Sequence, residues 1–544
     1  MKPILSICMI VKNEEKVLSR CLDSISGIAD EIIIVDTGSN DQSKEIALRY
    51  TNNVYDFEWV DDFSKARNYA ASKATGEWIF AIDADEFVER ESFQKLKVEL
   101  VEKPPKFNII GVQIVSFVGQ NGENTSLNYH ERLYKNNGDI SYYRNVHEIL
   151  AHVDSKENKG TIDFQLFHSG YLADVMNEKN KFERNLNLLL NKKEKEPMDY
   201  FFIGNEYRNL EELDKAITYY QKAYTLKPDM YLDWVKKLLL YLAETLHRSK
   251  RDEEALEILE SCEKIYPNLV DFKFYKGAIY FDKKQYKRSK KIFEDILLQK
   301  GNLVSDTSID FLELSPLRYL GEIYEKENEL HKAVQSYSKA LSLNESDDKL
   351  WIKLITLLGK YSSLKDLSDF LNNNMVNKTT MNPVRISKIL LSVPIINVQK
   401  LSRSFLDNPA LTTSENEALL MKNLQLDECS EEVIDTLIKK NPQEIVSLLA
   451  TGIFSIVDFI LLTLNTKNSV FEEFLYKIKY DQPLENLYNM LFKKKNKKLT
   501  ILEENFFVSV FKQAVVLDSK EVLSVMNGRK SFLSKETRNK LNKI

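Results

Sequence analysis

Trp78-Ile79-Phe80-Ala81-Ile82-Asp83-Ala84-Asp85-Glu86 reads as a buried strand running into two carboxylates one residue apart. Residues at i and i+2 of a strand share a face. Asp83 and Asp85 are therefore expected to project the same way from the strand's carboxyl end, where open α/β sheets bind ligands. Two hard oxygen ligands there suit a divalent cation that keeps positions open for substrate phosphates. An Asp-x-Asp alone serves equally well as an acidic loop capping the next helix, so the preceding eighty residues have to decide.

Those residues alternate. Ile4 to Val11 is an apolar run of strand length, and Val17, Leu18, Cys21, Leu22 and Ile25 then recur at helical spacing. Glu31 to Val35 is a second strand, closed by the turn Asp36-Thr37-Gly38-Ser39-Asn40-Asp41 and followed by a helix from Gln42. A short strand at 52–57 and a helix at 63–73 precede Trp78. Strands buried on both faces and alternating with helices predict an α/β fold with a doubly wound, mainly parallel sheet. Neither a dinucleotide-binding glycine pattern nor a P-loop is present.

"ISICMIVKNEE", "DEIIIVDTGSNDQS", "DDFSKARNYAASKATGEWIFAIDADE" and "NVHE", in that order, resemble the inverting family 2 glycosyltransferases of GT-A fold. The similar branch holds the lipopolysaccharide-core glucosyltransferases and the sublancin-type peptide S-glycosyltransferases. The resemblance covers roughly residues 1–190 and implies a nucleotide-sugar donor, UDP-linked, with Mn²⁺ or Mg²⁺ as cofactor. It places Val11, Lys12, Asn13 and Glu14 at the nucleoside, Asp36 as acceptor from the uracil imide and Ser39 nearby. Arg67 would meet the base or the diphosphate, work that suits a planar five-donor fork. Asp83 and Ala84 would line the donor site, and Asp85, Asp83 and His168 would hold the metal, His168 belonging to a His168-Ser169-Gly170-Tyr171 match.

Residues 107–118 read as strand, and Arg132 to Lys135 as a further strand before an Asn137-Gly138 hairpin signal. His130, His147, His152 and His168 fall in this stretch; His130 and His152 are read as structural. An inverting transfer needs a base for the acceptor's proton. The family's His-Glu pair puts Glu148 in that role, with His147 orienting it or acting as the base itself. For a thiol acceptor the base matters less, since a thiol of pKa near 8.5 is partly ionised at neutral pH.

Nine of the sixteen glycines lie within the first 170 residues, so the remainder should be mainly helical. Gly204, Tyr207, Ala216, Tyr220, Ala223 and Pro228 fall on tetratricopeptide-repeat positions. The same offsets recur at Ala243–Pro267, Gly277–Ile296 and Gly321–Ala340, clearest in the first and fourth units, with an insertion near 300–315. Such a solenoid offers a concave surface to an extended partner, and a dimerising or packing module is the competing use. The expected domains are 1–192 (transferase), 197–362 (an all-α repeat solenoid) and 363–544 (further helices of unknown role).

No repeat signature recurs after residue 365. The apolar run Ile445 to Leu464 is broken by Gly452, Ser455 and Asp458, which favours a buried helix pair over a membrane span. Lys493 to Lys498 reads as a solvated loop. A formal charge of −5 gives no support to nucleic-acid binding, and four scattered cysteines fit a reducing compartment. With no leader expected before the first strand, the location is read as cytoplasmic.

Three functions compete. The first is a metal-dependent transferase acting on a peptide or protein acceptor held by the repeats, alone or as a homo-oligomer. The second acts on a cell-envelope glycan or lipid-linked acceptor, and the third is a repeat scaffold with a degenerate transferase domain. Intact Asp36, Asp83, Asp85 and Glu148 oppose the third. If the repeats serve only the acceptor, a chain ending near residue 195 should keep slow UDP-sugar hydrolysis.

Overall fold

The computed structural model describes residues 3–118, 124–154, 158–168, 175–376, 381–478, 484–493 and 498–542. Ser169, Gly170 and Tyr171 of the His-x-Gly-Tyr match, and Lys494 to Lys497 of the lysine run, lie outside the described residues. By compactness the chain forms two units, Met1–Ile292 with Gln299–Phe311, and Phe293–Leu298 with Leu312–Ile544.

The first unit opens with β1 (Leu5–Val11), α1 (Leu18–Ile25), β2 (Glu31–Asp36), α2 (Ser43–Leu48), β3 (Val54–Asp56), α3 (Phe63–Ala71), β4 (Trp78–Ala81), β5 (Glu86–Phe87) and α4 (Arg90–Glu102). Strands β6 (Ile109–Val118), β7 (Asn124–Lys135), β8 (Ile140–Tyr143), β9 (Ile149–His152) and β10 (Lys159–His168) follow, then α5 (Val175–Asn191). One mixed sheet runs in the order β3-β2-β1-β4-β7-β6-β10-β5. β1 pairs in parallel with β2 and β4, whereas β7 runs antiparallel to both β4 and β6. Side chains alternate between two cores: Leu5, Ile7, Met9, Trp78 and Phe80 pack under α1 and α4, and Cys8, Ile33, Val35, Ile79 and Ala81 pack against Ala70 of α3. Parallel register (Val11 opposite Asp36, Cys8 opposite Ala81) sets the carboxyl ends of β1, β2 and β4 along one edge.

Asn137-Gly138 does turn the chain, with Gly138 at φ +83° and Asn137 Oδ1 accepting from the Asp139 amide (3.1 Å). It does not make a hairpin. Both hydrogen-bonding edges of β7 are already taken by β4 and β6, so β8 pairs with β9 in a separate ribbon.

The repeats form helix pairs α6 (Pro197–Asn209) with α7 (Leu213–Leu226), α8 (Asp233–Arg248) with α9 (Asp252–Ile265), α10 (Val270–Asp282) with α11 (Tyr286–Gln299) and α12 (Leu314–Lys326) with α13 (Leu330–Leu343). Each pair turns on a left-handed residue at the same offset: Glu211, Lys250, Lys284 and Asn328, at φ between 59° and 63°. In each turn the following amide reaches back five residues, as Glu212 N to Tyr207 O (2.9 Å) and Arg251 N to Leu246 O (2.8 Å). The second repeat, weak in sequence, is thus in full register.

The same turn recurs in the second unit without the signature. Glu428 (φ +62°) and Asp518 (φ +48°) precede Cys429 N to Leu424 O and Ser519 N to Ala514 O bonds, both 2.9 Å. Helices Pro442–Ala450 and Ile456–Thr466 divide the apolar run as expected, and Asp458 is buried in an ion pair with Lys422 while capping the second of them. Among the described residues no helix is long and apolar enough to cross a membrane.

Small residues in the repeats make room for aromatics. A Cβ on Gly204 would stand 2.5 Å from the Tyr220 ring. Gly204→Ala should therefore destabilise the chain by about 1–3 kcal/mol, read as a lower urea midpoint. An unchanged midpoint would show that the pair can spread.

Candidate active site

The first strand end is built from backbone. Val11 is a core residue whose carbonyl accepts from Thr37 N (2.9 Å) and Thr37 Oγ1 (3.0 Å). Asn13, at φ +58°, donates its amide to Ser39 Oγ (3.0 Å) and accepts from Asn40 N (2.8 Å), stitching the two loops together. Glu14 N donates to Ser43 Oγ (2.7 Å). Asp36 ends β2 only 4% exposed, its Oδ1 accepting from the Gly38 and Ser39 amides (2.8 and 2.9 Å). Asp36 Oδ2 is buried without a hydrogen-bond partner.

Asp83 and Asp85 do not share a strand face. β4 ends at Ala81, and the chain then turns, with Glu86 N donating to Asp83 O (3.0 Å) and Asp83 N to Glu86 Oε2 (2.8 Å). Asp83 Oδ1 accepts from Arg67 (2.8 Å) and Oδ2 from Arg132 (2.8 Å), which also reaches Glu86 (2.6 Å). Burial opposes charge on Asp83, yet Arg132 and Arg67 hold its carboxyl far below the usual range. Glu86 is pushed up to about 7, chiefly by burial, against the pull of Arg132. Ala84 is buried in the core and offers only backbone.

Asp85 turns instead to His168, Oδ2 standing 3.0 Å from Nε2, while Nδ1 of the same ring lies 3.3 Å from Ser116 Oγ. Burial lowers the His168 pKa most, but the bond to Asp85 together with the charges of Asp85 and Glu86 makes the net shift upward. Glu14 faces this pair, pushed up to about 7 by burial and then by the charges of Asp85, Asp83 and Asp41. Lys181 of α5 is the cation whose field reaches both Glu14 and His168.

Among the described residues no three His, Cys, Asp or Glu side chains are arranged as a metal site. Asp85 and His168 are the pair of side chains here that would suit a divalent cation, by the chemistry of their donor atoms. Asp83 does not, because both of its oxygens already accept from guanidinium groups.

Arg67 differs from its expected placement. Its side chain is 10% exposed and bridges inward, Nε to Glu148 Oε1 (2.6 Å) and Nη2 to Asp83, instead of reaching out to a base or diphosphate. The neighbouring Asn68 clasps the Tyr142 backbone, donating to its carbonyl (2.7 Å) and accepting from its amide (2.8 Å). Arg144 (φ +81°) is buried against Asp199 and Glu196, and His147 Nε2 lies 2.9 Å from Glu206 Oε1 of α6. Sequence reasoning missed Arg132, Glu86, Lys181 and Glu206. No local pattern marks any of them, since strand register and helix packing bring them in. His130 is an exposed residue of β7.

Residues 6–156 match the family model of glycosyl transferase family 2, and residues 200–230 and 320–347 match that of the tetratricopeptide repeat. A SPbeta prophage-derived glycosyltransferase, SunS of Bacillus subtilis, is 29% identical over 287 residues, covering 51% of this chain and 67% of its own. A TPR repeat-containing protein of Synechococcus elongatus is 37% identical over 145 residues, covering 27% of this chain and 35% of its own. The crystal structure of S. aureus TarS 1-349 in complex with UDP overlaps 46% of this chain and 88% of its own at 16% identity, with a TM-score of 0.28, too loose a superposition to argue from. The chain therefore carries a glycosyl transferase family 2 domain over residues 6–156, followed by tetratricopeptide repeats, which supports a glycosyltransferase.

Glu14, Glu86 and His168 all bind a proton more tightly folded than unfolded, so each lends stability below its unfolded pKa that is lost as pH rises through the folded value. Asp83 has the opposite sign, and its contribution is lost only in acid, outside this window. The melting temperature of the ligand-free chain should fall between pH 5 and pH 8, and fall less in Glu14→Gln; equal slopes would refute the like-charge contact.

Ending the chain near residue 195 removes Glu196, Asp199 and Glu206, stranding a guanidinium whose side chain is 2% exposed. Breaking a buried pair costs about 3–5 kcal/mol. The expectation that this fragment keeps hydrolysing a UDP-sugar is therefore replaced: it should melt without cooperativity and fail to turn over, measured by calorimetry and UDP release.

Proposed function

We propose that the chain transfers a sugar from a UDP-linked donor, with inversion and with Mn²⁺ or Mg²⁺, to a peptide or protein acceptor held by the repeats. The observation that carries the donor reading is Asp36: a buried carboxylate with one oxygen satisfied by its own turn and the other without a partner. An acceptor in that state suits the imide N–H of uracil, since an unsatisfied buried oxygen is costly until a donor meets it. Asn13, Ser39 and Val11 shape the loops around the nucleoside, and Glu14, Ala84 and Asp83 line the donor side.

In this reading Asp85 and His168 would hold the cation, which would supply positive charge against the leaving diphosphate. Lys181 adds a second positive charge on the same side. The acceptor oxygen or sulfur forms its bond to the anomeric carbon as the bond from that carbon to the phosphate oxygen breaks, the electron pair leaving with UDP. Glu148 takes the acceptor's proton, aligned by Arg67 Nε. His147 Nε2 faces Glu206, which favours an orienting role over that of base. The acceptor class rests on the solenoid, built to present an extended surface. We further propose a three-part chain of transferase (1–192), repeats (197–362) and a helical remainder (363–544), working in the cytoplasm, where unpaired Cys8, Cys21, Cys262 and Cys429 would stay reduced.

Calorimetry tests this. UDP should bind wild type with Mn²⁺ or Mg²⁺ and far more weakly in chelator. CDP, whose ring nitrogen lacks the imide proton, should bind less tightly than UDP, and the difference should vanish in Asp36→Ala, which loses roughly tenfold in UDP affinity. Equal affinities for UDP and CDP in wild type would overturn the uracil contact, and full binding in chelator would overturn the cation.

A further inference from the structure

Residues Arg144 to His147 are tied to the helices that follow the transferase fold. The Arg144 guanidinium pairs with Asp199 and Glu196, Asn145 Nδ2 donates to Leu188 O (3.3 Å), and Val146 is buried with Leu189 and Phe201. The His147 ring lies flat on Phe202, centroids 4.1 Å apart and planes at 13°, with Nε2 on Glu206 one helical turn further along α6. His147 itself sits at φ +55°, a conformation that a non-glycine residue keeps only where its surroundings over-determine it. Glu148, the next residue, points the other way, to Arg67.

The repeat pattern shows that Glu206 is not there to pack the solenoid. Counted from the small residue of each first helix, Phe202 corresponds to Tyr241, Tyr275 and Tyr319, an aromatic in every repeat. Glu206 corresponds to Thr245, Ile279 and Ile323, all at most 1% exposed and none acidic. The first repeat alone buries a carboxylate at this position, 2% exposed, with Oε2 lacking any hydrogen-bond partner. Oε1 also receives Asn185 Nδ2 at 3.5 Å, and the charge of Arg184 reaches both Glu206 and Glu148. A half-satisfied buried acid is a cost to stability, and what it touches is the residue before the proposed base.

We infer that Glu206 is a positioning residue for the transfer step: by holding the His147 ring against Phe202 it fixes the backbone turn that aims Glu148 at the acceptor. The inference rests on the reading of Glu148 as proton acceptor. It makes the first repeat helix part of the catalytic apparatus, not only of acceptor recognition.

The discriminating variant is Glu206→Ile, which installs the residue that repeats three and four carry. It should fold at least as stably as wild type, because an apolar residue replaces a half-paired acid. It should nonetheless lower kcat for hydrolysis of UDP-glucose or UDP-N-acetylglucosamine by about 10- to 100-fold, with KM for the donor unchanged. Glu206→Gln, which keeps an acceptor oxygen, should recover most of the rate. In ¹⁵N spectra of the imidazoles, Glu206→Ile should move the His147 ring resonances and leave those of His168 in place, a readout that needs no turnover. Unshifted His147 resonances, or wild-type kcat in Glu206→Ile, would overturn the inference. A fall in stability parallel to the fall in rate, without rescue by Gln, would also overturn it. Glu148→Gln is the control: wild-type turnover there sinks the base reading itself, whereas a slow Glu148→Gln beside a normal Glu206→Ile sinks only the positioning role.

Discussion

The buried guanidinium of Arg67 is the contact on which the transferase half depends. It donates to two carboxylates at once, Asp83 from the loop after β4 and Glu148 from the loop before β9, and with Arg132 it keeps Asp83 charged in a place where burial would neutralise it. That commitment decides what the neighbours can do. With Asp83 fully engaged, Asp85 is the carboxylate left to pair with His168. The helix carrying Arg67 fits close to the sheet because Ala66 and Ala70 are small, and Asn68 extends the same contact to the Tyr142 backbone. One turn of α3 therefore sets the distance between the two halves of the site.

The second constraint is the loop from Arg144 to Glu148. Two left-handed non-glycine residues within four positions are strain that a free loop would relax. Here the strain is held by partners on opposite sides: Asp199, Phe202 and Glu206 on α6, Arg67 on α3. The repeats thus begin as structural support for the transferase and continue, by the same recurring left-handed turn, as a solenoid. Their first helix belongs to both.

Much of the fold was legible because its signals are local. Continuous apolar runs such as Ile4 to Val11, the polar turn after Val35 and the small-to-aromatic spacing of Gly204 and Tyr220 each report on neighbours one strand or one helix pair away. The site was legible only in part. Asp36 stands at its strand end as the pattern predicts, because a tight turn of Gly38 and Ser39 fixes it locally. The prediction for Asp83 and Asp85 failed in geometry because the alternation rule holds only while a strand lasts, and β4 stops at Ala81. Arg67, expected to reach out to a base or diphosphate, turns inward instead, since nothing along a helix says which of its faces meets two acids from distant loops.

By itself the sequence determined the alternation of strands and helices, the acidic edge at the end of β4 and the repeat register, all set by periodicity and side-chain size over a few residues. Tertiary structure alone decided how the charges pair. Arg132 reaches Asp83 through the antiparallel register of β7 on β4, His168 reaches Asp85 through the pairing of β10 with β5, and Glu206 reaches His147 because α6 packs on the preceding loop. Those partners lie 49, 83 and 59 positions apart in the chain. Over such separations the choice belongs to burial: a charge removed from water must find whichever opposite group the packing brings within reach, and that is a property of the folded whole.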